Sequence, residues 1–216
     1  AESGKMKKLY WDDPYLTKCT SVVTSIEESK IKLDQTIFYA FSGGQASDFG
    51  TIGGINVVEA VEEDKENISY LLDNVPNFNI GDEVEVVINE ERRRKIRNLH
   101  SATHIVSYFV EEKLGKLECI GSNVSVDKAR LDYIFEGSIS EHLMELEEKI
   151  NLFILEENEV TIENDETDTK LRLWICKEMN MPCGGTHVKN TKEIGKVKLK
   201  RKNIGSGKER IEVTLI

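Results

Sequence analysis

Two short motifs hold the residues best suited to chemistry in this 216-residue chain: His100-Ser-Ala-Thr-His104 and Cys183-Gly-Gly-Thr-His187. Each places two nitrogen or sulfur ligands four residues apart. Together they offer three imidazoles and a thiolate, a set that suits one tetrahedral zinc ion per chain. Of the histidines, only His142 lies outside them. A lone His-x-x-x-His on an amphipathic helix is ordinarily coincidence or core packing, and a lone Cys-x-x-x-His is no more specific. Both together, with a Gly-Gly turn in the second, point to a zinc site formed by His100, His104, Cys183 and His187. The 78 residues between His104 and Cys183 mean that tertiary structure must assemble it. A metalloprotease of the His-Glu-x-x-His type needs a glutamate where Ser101 stands, which disfavours peptide hydrolysis. Four protein ligands would allow a closed structural site; three would leave room to activate water or polarise an ester. Spacing decides neither.

The elements that must position these ligands follow from periodicity. Apolar residues recur at helical spacing through Ile96, Leu99, Thr103, Val106, Val110 and Leu114, so a helix is expected over 89–114. Glu90 and Glu91 favour its start and Gly115 its stop. On that helix His100 and His104 share a face. Upstream, short alternating or β-branched runs at 19–26, 30–41, 51–62, 68–72 and 83–88 are separated by turn signals, which predicts a small barrel or sandwich. Downstream, one or two strands are expected over 122–135. A second helix is expected over 140–157, capped by Ser140, with an apolar stripe of Leu143, Leu146, Ile150, Phe153 and Ile154. Further strands are expected at 160–162, 170–176, 194–200 and 209–215. The fold class is therefore α+β: an all-β domain over 1–89 and an α/β domain over 90–216.

The formal net charge is −10, which by itself argues against a nucleic-acid partner. Its distribution does not. From Lys189 to Arg210 nine Lys or Arg face only Glu193 and Glu209, and a second basic run is Arg92-Arg-Arg-Lys95 with Arg97. A basic face on an acidic body can bind phosphates. Lys-rich strands are also explained as solvated edges that resist pairing. No apolar run approaches the ~20 residues needed to span a bilayer, so no membrane partner is expected. Residues 1–6 lack the apolar stretch of a signal peptide. The scattered cysteines fit a reducing, cytoplasmic setting. Cys19, Cys119 and Cys176 are expected to be small buried hydrophobes.

Taken together, Leu99-His-Ser-Ala-Thr-His104, Ile120-Gly-Ser122, Arg130-Leu-Asp132, Cys183-Gly-Gly-Thr-His-Val188 and Gly207-Lys-Glu-Arg-Ile211 resemble the editing domain of alanyl-tRNA synthetases. The order of the motifs, and the absence of an aminoacylation domain, resemble free-standing AlaX-type editing proteins. Phe41-Ser-Gly-Gly-Gln-Ala-Ser-Asp-Phe-Gly50 is similar to the Gly-Gly-Gln segment that the family carries on a β-barrel domain, although Phe41-Ser42 replaces the Pro and acidic residues expected there. The resemblance covers most of the chain from about Thr20 and indicates the medium-length form.

The resemblance implies zinc-dependent hydrolysis of the ester joining a wrong amino acid, chiefly serine with glycine as a further candidate, to alanine tRNA. A pocket for alanine cannot strongly reject an isostere that adds a hydroxyl, whereas a second site built to hydrogen-bond that hydroxyl can select it. Candidates for that work are Thr103, Ser122 and Asn123, with Gln45 in the same cleft. Thr103 could equally bond back along its helix, and Gly43-Gly44 could be a plain turn. Candidate tRNA contacts are Gly43, Gly44, Lys198, Lys200, Arg201, Lys202 and Lys208, acting through phosphate and sugar rather than sequence. A non-catalytic zinc-containing RNA-binding module would share the metal and the basic strands.

Overall fold

The computed structural model describes residues 5–168 and 171–216; Ala1–Gly4, where the reading for a signal peptide falls, and Lys170, the expected start of a strand, lie outside the described residues. The described chain is α+β with mostly antiparallel sheets. Its contacts divide it into two units, residues 1–42 with 46–94 and residues 43–45 with 95–216. The three residues Gly43–Gln45 thus belong with the second unit, although both flanks belong with the first.

The first unit is built from β1 (Lys7–Lys8), α1 (Leu9–Asp12), β2 (Lys18–Glu27), β3 (Lys30–Leu33), β4 (Gln35–Thr36), β5 (Gly50–Ile52), β6 (Ile55–Asp64), β7 (Asn67–Leu72) and β8 (Glu83–Ile88). The order β2-β3-β7-β6-β5-β8 closes on itself, because β8 pairs with β2 as well as with β5. Alternation along β8 buries Val84, Val86 and Ile88 and exposes Glu83 and Glu85. Two expected strands are divided. The run at 30–41 gives β3 and β4 and then leaves the sheet, with Ile37, Phe38 and Tyr39 in the core. The run at 51–62 is cut by Gly53 and Gly54, whose φ of 58° and 78° make the hairpin turn between β5 and β6.

Helix α2 (Glu90–Leu114) follows at once. Asn89 Oδ1 accepts from the Arg92 N–H, capping a first turn that Glu90 and Glu91 also favour. Of its expected stripe Ile96, Leu99, Thr103, Val106 and Val110 are buried, joined by Ala102 and Ile105, while Leu114 at the helix end is only half-buried. The basic run at its start is not a free patch. Arg93 is 1% exposed and paired with Asp48, Arg97 is buried, and Arg92 stacks on the Phe49 ring at 3.7 Å.

The second unit continues with β9 (Cys119–Val124), β10 (Ala129–Ile134), α3 (Ser140–Leu155), β11 (Thr161–Asn164), β12 (Arg172–Cys176), β13 (Met179–Pro182), a 3-10 turn (Thr191–Ile194), β14 (Val197–Gly205) and β15 (Lys208–Leu215). One sheet runs β14-β15-β10-β9 and another β11-β12-β13. Leu146, Ile150 and Ile154 of α3 are buried, and α3 lies along β14 through Asn151 and Glu147. Ser140 does not cap α3. It is the first helical residue, and the capping position is Ile139, which has no side chain able to accept. The expected strand at 194–200 starts only at Val197, because Asn190 and Glu193 form a capping box that commits 191–194 to a 3-10 turn. Cys176 is buried, but Cys19 is half-buried and Cys119 exposed at the start of β9, so the buried reading fails for Cys119.

Candidate metal centre

Helix geometry brings His100 and His104 to one face of α2, and their rings lie 5.2 Å apart. The second pair arrives from the end of β13. Cys183 continues the pairing, its N–H donating to Arg172 O, and Gly184-Gly185 turns the chain so that His187 faces the same point. The ligand atoms of His100, His104, Cys183 and His187 lie within 4.8 Å of one another. Cys183 Sγ is 3.4 Å from His100 Nε2 and 3.1 Å from His187 Nε2. A tetrahedral zinc with ordinary Zn–S and Zn–N distances has an S···N edge of about 3.5 Å. The donor set and these edges fit one such ion.

Each imidazole is also oriented from behind. Gln45 Oε1 accepts from the Thr186 N–H at 3.0 Å and lies 2.6 Å from His100 Nδ1. A carbonyl oxygen only accepts, so Nδ1 carries the proton and Nε2 keeps its lone pair for a metal. The Gln45 amide is locked in this sense because Nε2 donates to Thr186 Oγ1 at 2.9 Å. Ser101 does the same for His187. Its hydroxyl donates to Arg97 O at 2.9 Å and accepts from the Val188 N–H at 3.0 Å. Its proton is spent, so His187 Nδ1, at 3.2 Å, donates to it. His104 Nδ1 faces Met181 Sδ at 3.1 Å, a weak acceptor. The fully buried Trp174 indole lies over the His104 ring, 4.8 Å between centroids.

The site is dry. Burial pushes His100 down to about 4 and carries His104 and His187 well below the usual histidine range, with the neighbouring imidazoles adding to the effect for both. Burial pushes the Cys183 thiol up to about 11, against the opposing pull of the Gly185 N–H. The rings therefore stay neutral and able to ligate well into the acid range, while the thiol must lose its proton to do so.

Glycine is required at two approaches. A Cβ on Gly185 would meet Gln45 Oε1 and His100 Nδ1 at 2.5 Å, inside the hydrogen bond that orients His100. A Cβ on Gly44, whose φ is 82°, would lie 2.8 Å from Ser122 O. Gly44 O accepts from the Val124 N–H at 2.8 Å, and so the Gly43-Gly44 turn docks on β9 and delivers Gln45 to the centre.

The other candidates are placed as follows. Thr103 is buried and its hydroxyl donates to His100 O at 2.6 Å, back along the helix, leaving its lone pairs as acceptors. Ser122 is exposed on β9 beside Gly44. Asn123 points to the opposite sheet face, in register with Arg130. Lys198, Lys200 and Lys202 are exposed on one side of β14, and Lys208 is exposed at the start of β15. Arg201 is on the other side of β14 with Val197 and Leu199, bound to the buried Glu209 at 2.9 Å, so it forms a half-buried ion pair and is not part of the lysine row. The two-residue alternation of β14 already encodes this. Sequence reasoning missed the supporting roles of Ser101 and Met181. Only the place of Ser101, one residue after a ligand, could have signalled its role.

A family described as the threonyl and alanyl tRNA synthetase second additional domain matches residues 177–212, which include Cys183 and His187. The alanyl-tRNA editing protein AlaX-M of Pyrococcus horikoshii is 37% identical over 214 residues, 97% of each chain. The alanine–tRNA ligase of Methanococcus maripaludis is 31% identical over 98% of this chain and 26% of its own length. That of Sulfurisphaera tokodaii is 31% identical over 89% of this chain and 24% of its own.

Proposed function

This chain belongs to the alanyl-tRNA editing proteins of the AlaX-M type, and on that premise we propose that it deacylates alanine tRNA mischarged with serine, with one zinc ion held by His100, His104, Cys183 and His187. The observation that carries the zinc reading is the set of three imidazoles, each with Nδ1 engaged by a different protein group and so presenting Nε2. Such partners fix tautomer and ring angle, and a merely packed histidine does not need them. When bound, zinc would supply a Lewis acid able to polarise an ester oxygen.

The protein's own residues do the rest. Buried His100, His187 and Trp174 shield their side of the centre, so that polar contacts there are strengthened. Thr103, with lone pairs still able to accept, and Ser122, beside the docked Gly44, are our candidates to meet the serine hydroxyl. Alanine would leave such groups unpaired, which is how a second site can select serine where a first cannot. Gln45 positions His100 rather than touching the reacting atoms. The aminoacyl ester is itself labile, so orientation of the ester and an attacking water supplies much of what is needed. Gly43 and Gly44 bring the backbone of their turn against β9, and Lys198, Lys200, Lys202 and Lys208 supply phosphate contacts. Arg201 supports that strand from the core side. Four free thiols suit a reducing, cytosolic setting. No helix among the described residues is long and apolar enough to cross a membrane.

The test is a deacylation panel with alanine tRNA charged with serine, glycine or alanine. Serine release above the uncatalysed rate, lost on metal removal and restored by zinc, is expected. Binding of tRNA without release of any amino acid would instead make the chain a zinc-containing RNA-binding module.

A further inference from the structure

The sheet β14-β15-β10-β9 has two unlike faces. On one, Val197, Leu199, Ile211, Val213 and Leu131 are buried. Register places Lys198, Lys200 and Lys202 on the other, opposite Thr214, Glu212 and Arg210 of β15. Next to these come Arg130 and Asp132 of β10, then Asn123 of β9. Lys128, just before β10, reaches the same face and lies 3.2 Å from Glu212. Six cations therefore meet two carboxylates, a surplus of four positive charges on one face of a chain whose net charge is −10.

The carboxylates are shared. Asp132 takes hydrogen bonds from both Arg130 and Arg210, and Glu212 is within salt-bridge reach of both Lys128 and Lys202. Each acid thus balances one of its two cations and holds both in place. Between Asn123, Ser125, Lys128, Arg130, Arg210 and Glu212 lies an open hollow of about 200 Å³. Sites that engulf whole small molecules begin near 300 Å³, so this one suits a group projecting from something larger. β14 is an edge strand, and its lysines alone are explained as guards against edge pairing. Arg130 and Arg210 are on the interior strands β10 and β15, where there is no edge to guard.

We propose that this face is where the sugar–phosphate backbone of the substrate tRNA lies, with one phosphate seated in the hollow against Arg130, Arg210 and Lys128. The proposal rests on the tRNA reading above. Guanidiniums oriented by Asp132 present their remaining donors at little entropic cost and match phosphate geometry. The lysine row continues the track across β14. Contacts of this kind position the RNA and carry no sequence preference.

The experiment uses the full chain loaded with zinc, uncharged alanine tRNA as binding probe and seryl-tRNA as substrate. The variants are Lys198→Glu/Lys200→Glu/Lys202→Glu and Arg130→Gln, with Lys149→Glu on α3 as control and circular dichroism to verify folding. Each phosphate contact removed lowers the slope of log affinity against log salt by about one. The triple variant should lose roughly ten-fold or more in affinity at about 0.1 M salt, with a slope lower by about two or three. Arg130→Gln should lower the slope by about one, and the control should match wild type. Turnover of seryl-tRNA should be unchanged in the Lys149→Glu control. Wild-type affinity and slope in both face variants would overturn the proposal while leaving the editing reading intact. Salt-sensitive binding through this face by a wild-type protein that releases no serine would overturn the editing reading and uphold the face.

Discussion

Gln45 Oε1 lies 2.6 Å from His100 Nδ1, although the two residues are 55 positions apart in the chain. Removing the amide should free the His100 ring to rotate and to change tautomer. Gln45→Ala should therefore weaken zinc binding by about 10- to 100-fold. Chelator competition measures this directly. Unchanged affinity would mean that Gln45 serves some other end.

Gly185 packs onto that same hydrogen bond. Gly185→Ala would place a methyl 2.5 Å from both Gln45 Oε1 and His100 Nδ1, displacing one or the other. Metal affinity and seryl-tRNA deacylation should fall together, at least as far as in Gln45→Ala. Gly43→Ala is the comparison: an added methyl there meets no atom within 4 Å, and its φ of 55° leaves only local strain, so its cost should be about 1–2 kcal/mol of stability, read from a urea midpoint.

Loading the metal should release a proton. With the Cys183 thiol held up at about 11 by burial and His100 held down at about 4, the metal-free centre at neutral pH carries a protonated thiol and neutral rings. Zinc must expel that one proton, so apparent affinity rises about ten-fold per pH unit, and the slope steepens only in the acid range where the imidazoles begin to protonate. Calorimetry in buffers of different ionisation enthalpy counts the proton. Release of well over one proton at pH 7, about 1.7, would show that the rings titrate near their usual values.

Cys183→Ala removes the only sulfur ligand and the atom closest to both His100 Nε2 and His187 Nε2. Zinc should no longer bind stoichiometrically, and deacylation should drop to the uncatalysed rate. Full activity in a variant free of zinc by metal analysis would remove the ion from the mechanism.

The first basic run has a structural purpose. Arg93 is 1% exposed, pairs with Asp48 and also donates to Pro14 O and Ile37 O. Arg93→Ala strands a buried carboxylate and should cost about 3–5 kcal/mol. The exposed neighbour Arg94→Ala should stay within about 0.5 kcal/mol. Urea unfolding separates the two.

Much of this was legible in the residues themselves. The 3.6-residue period that buries Ile96, Leu99, Val106 and Val110 also puts His100 and His104 on one face, because a helix repeats locally. The two-residue period of β14 likewise separates the Lys198, Lys200 and Lys202 row from Arg201. Ser140 misled because a capping residue is recognised by its backbone angles and a free neighbouring N–H, which its letter does not contain.

What the sequence by itself determined is a set of candidate ligands, four residues whose chemistry would admit few metals, and the α+β alternation of periods around them. Tertiary structure alone decided which groups stand behind the ligands. Gln45, Met181 and Ser101 reach His100, His104 and His187 across 55, 77 and 86 residues. It also decided which cations face solvent: Arg93 went inward to Asp48, while Arg130 and Arg210 came together over Asp132. The physical reason is range. Helix and strand periods arise from interactions between near neighbours and can be read along the chain, whereas a hydrogen bond or a buried ion pair between distant residues exists only once packing has brought them within about 3 Å.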